Sequence, residues 1–308
     1  MESLHRIEPV LPNGKIGRTL HLVGLGDVGG TLLTGLMLTC PMLETIGIYD
    51  FDARRCARYE QEMNQILPMD GRKPHVTVLQ LEELFDGCDL FVFAASAGTP
   101  PVGTGVADVR MIQYEKNLGI LRPYVEMAVR KGYAGLFLQM SDPVDQLCMQ
   151  VMNVGLKPEQ IVGCGLGVML ARADYCARKR GNTNFLVNGR VFGPHGNGLI
   201  VANDPKDGYD DEYSRALTQA VLQANLAVRE TGYKPYIAPG LSSGCLSIRS
   251  LLSGTWFHGS FFDSGGIFWG CRARLTECGV ERETIRLHPL LHARIEETRK
   301  GLLQCRND

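Results

Sequence analysis

The chain has 308 residues, of which 44% are hydrophobic and 21% charged, enough apolar material for two domains of ordinary size and too much for a disordered chain. Lys and Arg total 32 against 33 Asp and Glu, a net charge of −1, so no global basic field exists to attract nucleic acid or an anionic membrane. The longest apolar stretches, such as 32–42, are broken by Thr, Gly and Pro and fall short of a membrane span.

Residues 1–18 are polar and contain Pro and Gly, which predicts an arm or loop, and the first stretch lacks the apolar segment of a secretory signal. From Thr19 the pattern changes. TLHLVGLG reads as a strand ending in glycine, and Val28, Leu32, Leu33, Leu36 and Met37 follow at helical spacing. ETIGIYD, HVTVLQ, CDLFVFAAS and GLFLQM read as four further strands. Helical stretches lie behind the first of them and across about 109–131. Strands alternating with helices imply a parallel sheet. Asp142 before Pro143 predicts a helix start with Asp142 as its cap.

The second half reads differently. A helix spans about 168–179, NFLV-Asn188-Gly189-RVFG predicts a hairpin, and a helix runs from Tyr213 to Glu230. TWFHGSFF and IFWGCRARL predict another hairpin around Asp263-Ser264-Gly265-Gly266, and a last helix begins at His288. The expected fold class is therefore α/β: a Rossmann-type doubly wound parallel sheet over 1–145, with 1–18 as an arm, and an α+β domain over 146–308. The ten cysteines include no Cys-x-x-Cys pair, which argues against a zinc ribbon and for buried thiols in a cytoplasmic protein.

Gly24-Leu25-Gly26-Asp27-Val28-Gly29 fits G-x-G-x-x-G, a weak signal among 36 glycines. Its context strengthens it: a strand before, a helix after, and an acid, Asp50, at the end of the next strand. The helix N-terminus offers N–H groups to a pyrophosphate. Asp50 would accept bonds from the adenosine ribose and repel a 2′-phosphate, which predicts NAD over NADP. Arg54 and Arg55 are the counter-signal.

Four segments in order give the chain a resemblance to the lactate/malate dehydrogenase family: the glycine loop with Asp50, Ser141-Asp142-Pro143-Val144-Asp145, Gly163-Cys164-Gly165 leading to Arg172, and Gly193-Pro194-His195-Gly196-Asn197. The resemblance implies that His195 is the acid/base and that Arg172 grips a substrate carboxylate. It implies that Arg110 polarises the reacting carbonyl from a mobile loop. Ala97, Gly98, Asn117 and Ser141 would line the cofactor with Gly24, Gly26, Asp27, Val28, Gly29 and Asp50. It also implies a homo-oligomer, dimer or tetramer, with a small carboxylate-bearing substrate and no metal.

The chain departs from the family pattern in three places. Met169 stands where the family places the Asp that holds the catalytic His. Asp142 stands where the family has Asn, and these opposite exchanges suggest a relocated partner for His195. Pro100, Pro101 and Val102 replace the specificity-loop arginine, and Gly240, Ser242 and Ser243 are small residues expected near the pocket wall. The leading expectation is an NAD-dependent oxidoreductase of a 2-hydroxy/2-oxo acid with an atypical side chain. The alternatives are reduction of an imine, favoured by Asp142, or a weakened NAD-binding homologue, favoured by Met169. A metal-dependent NAD enzyme using Cys164 and His195 is the least supported.

Overall fold

The structure is a computed structural model that describes residues 9–98 and 109–307, with the backbone alone for 109–112 and 305–307. Residues 9–18 form an irregular segment that buries Leu11. Five strands follow in the order expected: β1 (Thr19–Val23), β2 (Thr45–Tyr49), β3 (His75–Val78), β4 (Leu90–Phe93) and β5 (Leu136–Gln139). Between them run α1 (Asp27–Thr39), α2 (Ala53–Asn64) and α3 (Val109–Arg130). The second half contributes α4 (Val144–Val154), β6 (Ile161–Gly163), α5 (Leu166–Lys179), a single turn α6 (Phe185–Asn188), β7 (Arg190–Phe192) and β8 (Ile200–Ala202). It continues with α7 (Asp211–Glu230), a π-helical stretch (Pro239–Cys245), α8 (Leu246–Leu252), β9 (Phe257–Phe262), β10 (Phe268–Thr276), β11 (Gly279–Arg282) and α9 (Pro289–Asn307).

Nine strands form one sheet in the order β11-β10-β9-β6-β5-β4-β1-β2-β3. The six strands from β3 to β6 are parallel and have the dinucleotide-fold order 3-2-1-4-5-6. An antiparallel meander, β9 to β11, extends the sheet beyond β6. The division expected at residue 145 falls within the first turn of α4, and the sheet runs on past it.

Strand alternation sorts the core. Leu20, Leu22, Ile46, Ile48 and Val92 face α1, where Leu32, Leu33, Leu36 and Met37 cover them. Val23, Phe91, Phe93 and Phe137 face α3 and α4 and meet Leu121, Val125 and Leu147.

Two local expectations are corrected. NFLV and RVFG do not pair with each other. NFLV is the helical turn α6, with Gly189 N–H donating to the Phe185 carbonyl at 2.6 Å. An Asn-Gly hairpin turn needs positive φ at both residues, but Gly189 has φ −70° and no described non-glycine residue has positive φ. The hairpin is instead β7 with β8, and the loop between them carries His195. Secondly, α4 starts at Val144 with Pro143 at the cap position, and no side chain caps it. Asp142 is thus free of the capping role.

The π-helical stretch packs directly on α1. A Cβ on Gly35 would sit 2.7 Å from Cys245 Sγ, and one on Gly240 would sit 2.8 Å from Thr31 Cβ. Ser243 accepts from Val168 N–H at 2.9 Å and donates to the Gly165 carbonyl at 2.8 Å. Gly240 and Ser243 are therefore spent on helix packing and do not widen a substrate pocket.

Candidate active site

The residues singled out in sequence converge on one edge of the parallel sheet. Gly24 follows β1, Asp50 follows β2, Ala97 and Gly98 follow β4, and Ser141 and Asp142 follow β5. Gly165, after β6, holds His195: a Cβ there would lie 2.7 Å from His195 Cβ. Carboxyl ends of parallel strands are where open α/β sheets bind ligands.

At the nucleotide end, Gly24 has φ +94°, and a Cβ there would strike the Ala95 backbone N at 2.4 Å. A Cβ on Gly29 would fall 1.8 Å from the Gly24 carbonyl oxygen, so the turn closes only with glycine at both positions. Gly26 caps α1 and is exposed, with no atom within 4 Å of where its Cβ would be. That open space before the first N–H groups of α1 fits a pyrophosphate. Asp27 begins α1 and meets Lys234 Nζ at 3.3 Å, while Val28 is half-buried against the core.

Asp50 is nearly sealed, with its side chain 3% exposed. It accepts from Leu25 N–H of the glycine loop at 2.8 Å and from Asp52 N–H at 3.0 Å. Arg55 Nη1 reaches both its oxygens at 3.3 Å, whereas Arg54 is exposed and pairs with Asp52.

Midway, Asn117 is fully buried on α3. Its Oδ1 accepts from Ala97 N–H at 2.8 Å, and its amide donates to the Asp142 carbonyl at 2.6 Å. Ser141 Oγ donates to the Ala95 carbonyl at 2.5 Å. This network ties the loop after β4 to the backbone of Asp142.

At the far end, His195 Nε2 lies 3.6 Å from Asp142 Oδ1. His195 Nδ1 is buried and has no hydrogen-bond partner among the described residues. Met169, at the family's acid position, is buried, and its Sδ accepts from Arg172 Nη1 at 3.7 Å. Burial lowers the Arg172 guanidinium, and the Asp142 carboxylate opposes that shift, so the two charges act on each other. The side chain of Arg110 lies outside the described residues, as do Pro100, Pro101 and Val102; its backbone is in the first turn of α3.

Sequence reasoning gave Asp145 no role. In the structure its Oδ2 accepts the His195 backbone N–H at 2.8 Å, and its Oδ1 accepts the Ser260 hydroxyl at 2.5 Å. Burial raises its pKa, and those two donors together with the His195 charge hold it down. An acid in the apolar first turn of α4 was the available signal. Cys164 is buried and burial pushes its thiol up to about 12, a poor metal ligand or nucleophile. Among the described residues, no group of three or more His, Cys, Asp and Glu is placed to hold a metal ion.

No family model matches the chain. It is 27% identical over 194 residues to an L-lactate dehydrogenase of Corynebacterium jeikeium, 62% of this chain and 56% of that protein. With the L-lactate dehydrogenase of Lactobacillus delbrueckii subsp. bulgaricus it shares 28% identity over 235 residues, 73% of this chain and 72% of that one. Its fold matches a lactate dehydrogenase from a deep-sea metagenome library at TM-score 0.78, with 18% identity and coverage of 94% and 98%. It also matches a malate dehydrogenase from Archaeoglobus fulgidus, solved with NADH, at TM-score 0.76 and 19% identity, with coverage of 93% and 97%. The chain is similar to the lactate/malate dehydrogenases. The similarity spans little more than half the length of the first of these relatives in sequence and nearly all of the fold neighbours in structure. The Rossmann-type sheet expected from the strand and helix order is the fold observed.

Proposed function

We propose that the protein is an oxidoreductase that transfers a hydride between a nicotinamide dinucleotide, NAD(H), and a small 2-substituted carboxylic acid. The observation that carries this reading is the shared edge. The glycine loop, Asp50 and Ser141 lie at the ends of β1, β2 and β5, with Asn117 of α3 bonded to the loop after β4, and His195 and Arg172 meet Asp142 beside them.

Gly24, Gly26 and Gly29 leave room for the pyrophosphate, and Asp50 stands where the adenosine ribose would lie. The bound dinucleotide supplies or takes up the hydride. Arg172, half-buried and with a thioether as its side-chain hydrogen-bond partner among the described residues, is available to hold the substrate carboxylate in a two-pronged grip. His195 Nε2 faces the open side of the site and is placed to give or take the proton at the reacting heteroatom. Asp145 fixes the His195 backbone, so the imidazole is located although Nδ1 has no partner. The adenosine end favours NADH over NADPH, because Asp50 keeps a buried carboxylate against a 2′-phosphate. The reading carries with it the expectation of a cytoplasmic homo-oligomer. No described helix is long and apolar enough to cross a membrane.

The test is NADH binding by fluorescence, then NADH oxidation against a panel of 2-oxo acids with and without ammonia. NADH binding with turnover of any member supports the reading. Failure to bind either dinucleotide overturns it. Binding without turnover of any member would leave the weakened NAD-binding homologue as the answer.

A further inference from the structure

The acid next to the reacting position is in an unusual relation to His195. Asp142 is 48% exposed, caps no helix, and its carboxylate accepts no hydrogen bond from a described residue. It approaches Nε2, while the buried Nδ1 on the other side of the ring has no hydrogen-bond partner among the described residues. Asp142 therefore does not replace an acid missing at Met169, which would have to meet Nδ1. It lies on the reactant's side of the imidazole. The Arg172 charge also acts on it. Among the described residues the site thus offers the Arg172 cation and the Asp142 anion beside His195 to whatever binds.

A 2-oxo acid carries a single negative charge and matches only the cation. Its reduction builds further negative charge on oxygen, next to the Asp142 carboxylate, which like charges oppose. A 2-amino acid carries a carboxylate and an ammonium on adjacent atoms and matches both. Its imine is a cation at nitrogen, and no negative charge develops there during reduction.

We propose that the bond reduced and formed at this site is C=N, so that the substrate pair is a 2-imino acid and the corresponding 2-amino acid. This rests on the oxidoreductase reading above and names its substrate class. Arg172 holds the carboxylate and Asp142 accepts from the N–H of the iminium. The iminium carbon accepts the hydride given up by the reduced nicotinamide, which is thereby oxidised. The π pair of C=N becomes the nitrogen lone pair, and that pair takes the proton from His195 Nε2. The product ammonium then remains paired with Asp142, and His195 regains a proton from water.

The first test reads binding alone. Calorimetry on the protein loaded with NAD would compare 2-amino and 2-hydroxy acids of the same side chain: alanine with lactate, leucine with 2-hydroxyisocaproate, phenylalanine with phenyllactate. The expected result is at least tenfold tighter binding of the amino member in the best-binding pair. Asp142→Asn, at a half-exposed position whose carboxylate accepts no hydrogen bond from a described residue and whose backbone bond to Asn117 the change keeps, is expected to cut that ratio below about threefold, with NADH affinity reporting that the variant is folded. The second test follows NADH oxidation with 2-oxo acids in sodium and in ammonium buffers, ammonia condensing with the oxo acid to give the imine with loss of water. Turnover that needs ammonia supports the proposal. Equal rates in both buffers, or hydroxy members that bind as well as amino members, overturn it and leave the oxidoreductase reading standing. Absence of any dinucleotide binding overturns both.

Discussion

Asp50 and Asp142 stand at opposite ends of the same crevice and are held in opposite ways. Asp50 is sealed, accepts two backbone N–H groups and touches Arg55 with both oxygens. Asp142 is half exposed and has His195 as its one ion-pair partner among the described residues. A carboxylate whose bonds are internal stabilises the loop that presents a ligand. A carboxylate whose bonds are unmade is held ready for a ligand. The glycine-loop end is therefore a structural cradle, and at the far end the Asp142 charge is left open to whatever binds.

The largest expected effect separates the two ends. His195→Ala removes the proton donor and should lower kcat by about three orders of magnitude, within the usual range for acid–base groups. NADH affinity, set at the other end, should stay within a few-fold. Near-native turnover by this variant would sink the mechanism. Next in size, Arg172→Ala should cost about a hundredfold in kcat/KM, as expected for losing a charged two-pronged bond. NADH titration should again be unchanged.

At the nucleotide end, Asp50→Ala should weaken NADH about tenfold, the scale of one lost charged hydrogen bond. It should also narrow any preference over NADPH, because Arg55 then remains without its acid. If wild type already binds NADPH more tightly, Asp50 loses its assigned role and Arg55 takes it.

The smallest expected effect lies outside both ends. His258 on β9 is buried beside Arg190, Arg272 and Glu283, and burial followed by the two arginines lowers its pKa to about 3. A histidine depressed in the folded state binds its proton more readily when unfolded. Stability is then greatest above the ordinary histidine value of about 6.5 and falls as pH drops toward about 3. Over the single unit from about 6.5 to 5.5 the loss should be about 1 kcal/mol. Denaturant melts at the two pH values would show it, and His258→Gln should flatten the slope. An unchanged slope would place the acid sensitivity elsewhere than His258.

The order of strands and helices, the glycine turn and the acid after β2 were legible in the sequence because each is local. A turn that needs positive φ at Gly24 and a missing Cβ at Gly29 restricts residue type whatever else the chain does. The order and spacing of four short motifs were enough to place His195, Arg172 and Asp142 in one site. The Asn-Gly hairpin misread a local signal that tertiary contact overrode. Phe185 is buried only when its segment turns helically, and β7 finds its partner in β8. The small residues at 240–244 were likewise settled by the approach of α1, which no periodicity reports. Asp142 could be read as an acid near His195, but not which ring nitrogen it would approach, and Asp145 carried no signal of its bond to the His195 backbone. That depended on the loop between β7 and β8 docking against Gly165 and Asp145, residues 30 and 50 positions away. Chain chemistry determined which charges the site contains. Long-range packing decided that Asp145 holds the His195 backbone, that exposed Asp142 approaches Nε2, and that Nδ1 has no hydrogen-bond partner among the described residues.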